Sequence, residues 1–172
     1  GLALADLGGL KGRGERHRLK VDGGEAVLID ESYNANPASM AATLKSLGAE
    51  TGAERRVAVL GPMRELGEHA ERLHAALAPA ILDAKVDELV LVGDDGEHDP
   101  EVFFDFAHHH PGRVAVIALR QVYDLDRPRI TPSARAADTV GAAVVGAPNA
   151  EELLPLVRAA LGLGQPREGS VG

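Results

Sequence analysis

Short apolar runs alternate with amphipathic segments along most of this chain, and this alternation strongly limits the folds open to it. The clearest runs are EAVLIDE (25–31), RRVAVLG (55–61) and DELVLVG (87–93), and weaker ones follow at 112–119 and 138–146. Parallel strands that are buried on both faces read as continuous apolar runs, and strands alternating with helices indicate a parallel sheet. The sequence therefore predicts an α/β sandwich with a mostly parallel sheet of five or six strands.

The helix predicted after the first run has well-marked ends. Asn36 can cap it, Pro37 suits its first position, and Gly48 lies just beyond its predicted end. A hydrophobic stripe runs along one face, formed by Met40, Leu44 and Leu47. These marks predict a helix that begins at Pro37 and stops at Gly48.

The remaining segments are assigned by the same patterns. A second helix is predicted within 67–84, where Pro79 should kink it or end it early. Further helices are predicted at 100–110 and 149–161, the latter opening with Asn149 and Glu152 in capping-box spacing. Three segments are predicted to lack regular structure: the basic, Gly-punctuated run 11–20, the loop 120–137 and the tail 162–172.

Composition argues against several classes of function. The formal net charge of −8 is the opposite of a nucleic-acid-binding footprint, and the absence of cysteine excludes a disulfide framework and a thiolate metal site. No apolar run reaches the roughly 20 residues that span a bilayer. His108–His110 cannot converge on one ion from a single helix, because adjacent helical residues point about 100° apart. We therefore expect a cytoplasmic monomer that binds neither nucleic acid nor membrane and holds no metal.

A polar cluster lies between the first apolar run and the first helix. Its members are Asp30, Ser32, Tyr33, Asn34 and Asn36. Ligands of open parallel sheets bind beyond the carboxyl ends of strands, where a carboxylate can accept the hydroxyls of a ribose. The competing interpretation is that these side chains only form turns and caps, and for Asn36 that interpretation is favoured. The residues alone predict a site for some polar ligand.

Two sequence blocks carry a resemblance to a known family. The first is DESYNANPASM (30–40) and the second is VAVLGPMRELGEHAERLH (57–74). Together they resemble the C-terminal domain of the Mur ligase family over about residues 1–93. The matching positions are Asp30, Tyr33 through Asn36, Gly61, Met63, Glu65 through Gly67, and His74. The chain departs from the family pattern at Pro62, where the family has an aspartate, and at Glu168, where it has a lysine.

This resemblance implies a Rossmann-like three-layer sandwich that forms part of a three-domain, ATP-dependent ligase. It implies that residues 1–20 are a linker from a central ATPase domain and that 21–172 form the C-terminal domain, with 94–147 poorly matched. The implied substrates are UDP-N-acetylmuramoyl-tripeptide and D-alanyl-D-alanine, and the implied cofactors are ATP and Mg²⁺, both held mainly by the central domain. The opening GLALADLGGLKGRG reads as a linker, so a piece of a longer protein is expected.

The resemblance also assigns roles to residues. It implies nucleotide binding by Arg13, Asp30, Asn34 and Asn36, dipeptide binding by Ser32 and Tyr33, and no catalytic residue in this chain. No G-x-x-x-x-G-K-[ST] phosphate loop occurs in the sequence, which agrees with ATP phosphates being gripped elsewhere.

Two other classes of function stay open at this point. A stand-alone α/β ligand-binding module that has lost catalysis is favoured by the departures at Pro62 and Glu168. A dehydrogenase-type dinucleotide domain is weaker, because no G-x-G-x-x-G follows the first predicted strand.

Overall fold

The structure is a computed structural model, and it describes residues 11–21, 24–96, 98–122 and 141–163. Most of the loop predicted at 120–137, most of the predicted tail and Glu168 lie outside the described residues. The strands are β1 (Glu15–Val21), β2 (Gly24–Asp30), β3 (Val57–Leu60), β4 (Glu88–Asp94), β5 (Val114–Arg120) and β6 (Ala143–Ala147). The α-helices are α1 (Pro37–Ala49), α2 (Ala70–Ala75), α3 (Ala78–Asp83), α4 (Asp99–His109) and α5 (Ala150–Ala160). None of the helices in this described part is long and apolar enough to cross a membrane.

The chain divides into two compact units. One combines residues 1–54 with 63–85, and the other combines residues 55–62 with 86–172.

The second unit contains a four-stranded parallel sheet in the order β3-β4-β5-β6. The strands are mostly apolar and rich in valine, which suits a parallel sheet with helices on its faces, although Val57 and Val59 of β3 stay exposed. The centre of β5 is fully buried, with Val116 and Ile117 both at 0% exposure. The predicted α/β class and the parallel sheet flanked by helices are confirmed, but in the described part of the chain this sheet has four strands rather than the predicted five or six, because the run 25–31 pairs in a separate sheet.

The two faces of this sheet carry different helices. On one face, Leu153 of α5 packs with Val90, Val116 and Ala147. On the other face, α4 lies so close to β4 that a Cβ added to Gly93 would meet the ring of Phe103. The sheet of the second unit is therefore the middle layer between α4 and α5.

The first unit begins with a hairpin that corrects two predictions. Most of the run 11–20, predicted as turn and hinge, lies in β1, and β1 pairs antiparallel with β2 from Glu15 opposite Asp30 to Val21 opposite Gly24. The run 25–31, predicted as a buried strand of the parallel sheet, contains no buried residue, and Leu28 is 49% exposed. The physical reason is the pairing with β1, because an antiparallel pair can leave a face to solvent, whereas a strand inside a parallel sheet is covered on both faces.

Helix α1 begins as predicted. The Oδ1 atom of Asn36 accepts a hydrogen bond from the backbone N–H of Ser39 at 2.9 Å, and the Ser39 hydroxyl lies 3.2 Å from the backbone N–H of Asn36. This reciprocal pair is a capping box, and Pro37 occupies the first turn.

Replacing Asn36 by alanine is expected to lower the free energy of unfolding by ~1 kcal/mol, because the cap is lost and the N–H of Ser39 is left to water. Urea unfolding of the isolated chain measures this. Asn34→Ala is the matched control, because the side-chain oxygen of Asn34 accepts the N–H of the adjacent Ala35 and caps no helix. Equal midpoints for the two variants would contradict the capping role.

The end of α1 differs from the prediction. Gly48 does not stop the helix, which continues to Ala49 and is capped by Glu50. A Cβ added to Gly48 would lie 2.8 Å from the Cα of Ala84, which follows α3. The glycine is therefore explained by close packing of α1 against the end of α3, and the helix ends at Glu50, whose backbone is extended.

The helix predicted within 67–84 is interrupted, as Pro79 indicated. A 3₁₀ turn (Gly67–His69) leads into α2, and α3 starts at Ala78 with Pro79 in its first turn. Proline is tolerated there because the first N–H groups of a helix have no intrahelical partner.

Candidate functional site

The open end of the hairpin is extended by two further backbone hydrogen bonds. The N–H of Gly14 donates to the carbonyl of Asp30 at 2.9 Å, and the N–H of Tyr33 donates to the carbonyl of Gly12 at 3.0 Å. Gly12 has φ +69°, and a Cβ there would lie 3.0 Å from the backbone nitrogen of Tyr33. Glycine permits both this conformation and this approach, and the result is that Arg13 is held beside the 30–33 segment.

Asp30, the last residue of β2, is held by the turn that follows it. Its Oδ1 accepts the backbone N–H of Ser32 at 2.9 Å. Hydrogen bonds from the hydroxyl and then the backbone of Ser32 hold the pKa of Asp30 below its ordinary value, and the nearby charges of His17 and Lys11 act in the same direction. Because the folded-state pKa is lowered, the contribution of this carboxylate to stability is present above the ordinary pKa and is lost as the pH falls through the lowered value. Asp30 is therefore a carboxylate at neutral pH.

Arg13 and Tyr33 form a pair next to Asp30. The guanidinium carbon of Arg13 lies 4.0 Å above the centroid of the Tyr33 ring, a cation–π geometry. Tyr33 is 66% exposed, and Arg13 is exposed as well. The structure thus brings together one residue predicted to bind nucleotide and one predicted to bind dipeptide.

The two asparagines are placed differently. The side-chain oxygen of Asn34 accepts the N–H of Ala35 at 2.9 Å, while that of Asn36 serves the cap of α1. Capping, the interpretation that the sequence favoured for Asn36, is confirmed. The nucleotide-binding roles of both residues stay predictions.

His74 has a structural role that sequence reasoning missed. It is buried, and its Nε2 accepts the backbone N–H of Met63 at 2.9 Å, while its Nδ1 lies 2.7 Å from the carbonyl of Ala70. Since a backbone N–H can only donate, Nε2 is the acceptor and Nδ1 carries the proton. Through these two contacts His74 links Met63 to helix α2 within the second sequence block (57–74). The only signal for this contact in the sequence was the spacing of Met63 and His74.

A second feature was missed because β1 was not predicted. Glu15, His17 and Asp30 each offer a side-chain ligand atom, and these atoms lie within 4.8 Å of one another. The Nε2 of His17 is 3.7 Å from a carboxylate oxygen of Glu15. The signal was the alternation Glu-x-His, which places both side chains on one face once the segment is read as a strand.

Comparison with known proteins identifies the class to which this fold and site belong. The family described as "Mur ligase, glutamate ligase domain" matches residues 12–143, and the chain belongs to that family. The match begins within the run expected to be a linker and continues past residue 93 through most of the poorly matched segment 94–147.

The curated proteins that are similar to this chain all carry the name of one kind of ligase within the family. One from Rickettsia prowazekii is 39% identical over 90 residues, covering 52% of this chain and 19% of the relative. One from Bacillus subtilis is 36% identical over 95 residues, covering 55% and 21%, and one from Escherichia coli is 31% identical over 105 residues, covering 61% and 23%. Each is named UDP-N-acetylmuramoyl-tripeptide–D-alanyl-D-alanine ligase. The chain spans about a fifth of the length of these relatives and is similar to a C-terminal piece of such a ligase.

Proposed function

We propose that this chain is the C-terminal domain of a cytoplasmic, ATP-dependent ligase that joins D-alanyl-D-alanine to UDP-N-acetylmuramoyl-tripeptide during synthesis of peptidoglycan precursors. Its family and its relatives' names support the reaction. The observation that carries the role of this domain is the ionised carboxylate of Asp30 at the end of β2, beside the exposed Arg13–Tyr33 pair.

The chemistry of Asp30 suits a ribose. A carboxylate offers about four lone-pair sites. Ser32 occupies only part of this capacity. Two vicinal hydroxyl groups can therefore donate to the same carboxylate, and hydrogen bonds to an ionised acceptor are stronger than neutral ones. Asp30 would fix the ribose of ATP and thereby orient the nucleotide.

The chemistry of Arg13 suits a phosphate. A guanidinium carries five N–H donors in a planar fork and stays charged at every physiological pH. The guanidinium carbon lies 4.0 Å from the centroid of the Tyr33 ring and the Arg13 side chain is exposed, so its N–H donors can reach a phosphate. In the proposed reaction ATP supplies the phosphoryl group that activates a carboxylate, and Mg²⁺ neutralises the phosphate charge. Both are held mainly by another domain, since the chain has no phosphate loop.

Of the two residues assigned to dipeptide binding, Tyr33 is better placed than Ser32 to contact the dipeptide. The hydroxyl of Ser32 is already engaged with Asp30. Tyr33 exposes its ring. We propose that Tyr33 contacts D-alanyl-D-alanine.

The function is tested with the full-length protein that carries this chain, by following phosphate release from ATP. Release is expected only when UDP-N-acetylmuramoyl-tripeptide and D-alanyl-D-alanine are both present with Mg²⁺. L-alanyl-L-alanine is the matched control. A protein that releases no phosphate under any of these conditions, while still binding one of the ligands, would support the second candidate, a ligand-binding module that has lost catalysis. Pro62, which stands where the family has an aspartate, is the observation that favours this candidate.

The isolated chain is expected to turn over no ATP and to bind it with a dissociation constant in the millimolar range or weaker. A few ribose contacts hardly offset the roughly 4 kcal/mol or more that association costs. Titration calorimetry measures the affinity, and a phosphate assay measures the turnover. Low-micromolar binding, or turnover that depends on Mg²⁺, would contradict the assignment of the phosphate grip to another domain.

A further inference from the structure

The open end of the hairpin gathers three side chains with metal-ligating atoms on one face. Glu15 pairs directly with Asp30 across the two strands, and His17 lies two residues further along β1, so all three project from the same face. Their ligand atoms lie within 4.8 Å of one another, and all three residues are half-buried. The strand ladder fixes the three Cα positions, so the side chains meet without a flexible loop.

The charges of this cluster call for a cation. Glu15 and Asp30 are like charges directly opposite each other, a pairing that destabilises an antiparallel ladder. A divalent ion would neutralise both carboxylates at once.

The ligand set points to a kind of ion. One imidazole with two carboxylates suits Zn²⁺, Co²⁺ and similar transition metals, whereas Mg²⁺ takes oxygen ligands and binds imidazole poorly. Bonds of about 2.0–2.2 Å around one ion require ligand atoms roughly 3–3.5 Å apart. The present separations of up to 4.8 Å exceed this by roughly 1–2 Å, which side-chain rotation would have to close on binding.

We propose that Glu15, His17 and Asp30 form a binding site for a divalent transition metal, with Zn²⁺ as the preferred ion among those readily available. If Asp30 also binds the ribose, as proposed above, then metal and nucleotide share one carboxylate and exclude each other. An excess of Zn²⁺ would then act as a competitive antagonist of ATP at this domain.

Metal binding is tested on the isolated chain with Co²⁺ as a spectroscopic probe and Zn²⁺ in competition. One equivalent is expected to give d–d absorption, and His17→Gln and Glu15→Gln are each expected to weaken binding at least tenfold. His109→Gln is the matched control, because His109 also lies beside a carboxylate, that of Asp105, on an exposed surface. Far-UV circular dichroism confirms that each variant is folded. Binding that survives both hairpin substitutions, or that is lost in His109→Gln, would overturn the site.

Competition is tested on the full-length protein through the ratio of the Michaelis constants for ATP with and without buffered Zn²⁺, at saturating Mg²⁺. This ratio is expected to rise severalfold in the wild type and to return close to one in His17→Gln. Metal binding without any change in the ratio would retain the metal site and overturn the sharing of Asp30. Failure of both tests would leave the ligase reaction itself untouched, because that reaction is measured by phosphate release.

Discussion

Replacing Asp30 by alanine is expected to raise the Michaelis constant of the full-length ligase for ATP by roughly ten- to a hundredfold, since each charge-assisted hydrogen bond lost accounts for about a factor of ten. The carboxylate is ionised, and the turn at Ser32 holds it at the end of β2. Steady-state kinetics with varied ATP measures the effect.

Two comparisons separate binding from folding in this experiment. Glu31→Ala removes the neighbouring carboxylate and is expected to leave the Michaelis constant for ATP within about twofold, a difference well below one hydrogen bond. The urea midpoint of Asp30→Ala is expected to stay near that of the wild type, because a half-exposed carboxylate supports little packing. A variant that unfolds much earlier and keeps its ATP dependence would make Asp30 a structural residue.

Replacing Gly93 by alanine is expected to cost about 3 kcal/mol of unfolding free energy, at the upper end for overpacking a core. The new Cβ would lie 2.5 Å from the Oδ2 of Asp99 and 2.8 Å from the ring of Phe103, which is 2% exposed. The same Oδ2 accepts the N–H of Asp94 at 3.0 Å, so moving Asp99 aside would also break that bond. Neither neighbour can yield without shifting α4 from the sheet.

The control for this substitution is Gly24→Ala. Gly24 also lies in a strand, and a Cβ there would meet no atom within 4 Å. Thermal unfolding is expected to show a loss of roughly 6–12 °C for Gly93→Ala, at about 2–4 °C per kcal/mol for a chain of this size. Equal melting temperatures for the two variants would show that α4 does not pack against β4 as described.

Features of the fold that depend only on neighbouring residues were predicted correctly from the sequence. The cap of α1 at Asn36 and the interruption at Pro79 depend on neighbouring residues alone, and both are confirmed. The apolar runs that became β3, β4 and β5 were recognised because strands of a parallel sheet are apolar along most of their length, although Val57 and Val59 of β3 stay exposed.

The hairpin was not predicted because a local sequence pattern identifies a strand but does not show which other strand it pairs with. The run 25–31 has the apolar centre of a buried strand, yet it pairs with β1, whose basic residues follow Gly12 and Gly14 and so resembled a hinge. The contact of Glu15 with Asp30 depends on the register of that pairing, and a slip of one residue would put them on opposite faces. The tight approach of Gly48 to Ala84 is likewise invisible until α1 and α3 are packed.

The central claim is that the carboxylate of Asp30 receives the hydroxyl groups of the ribose of ATP. The direct test compares ATP with 2′,3′-dideoxy-ATP as substrates of the full-length wild type and of Asp30→Ala, and takes the ratio of the two Michaelis constants for each protein. We expect the wild type to prefer ATP by roughly ten- to a hundredfold and the variant scarcely to distinguish the two nucleotides, because the variant lacks the carboxylate that the ribose hydroxyl groups would contact. A variant that prefers ATP as strongly as the wild type would contradict it.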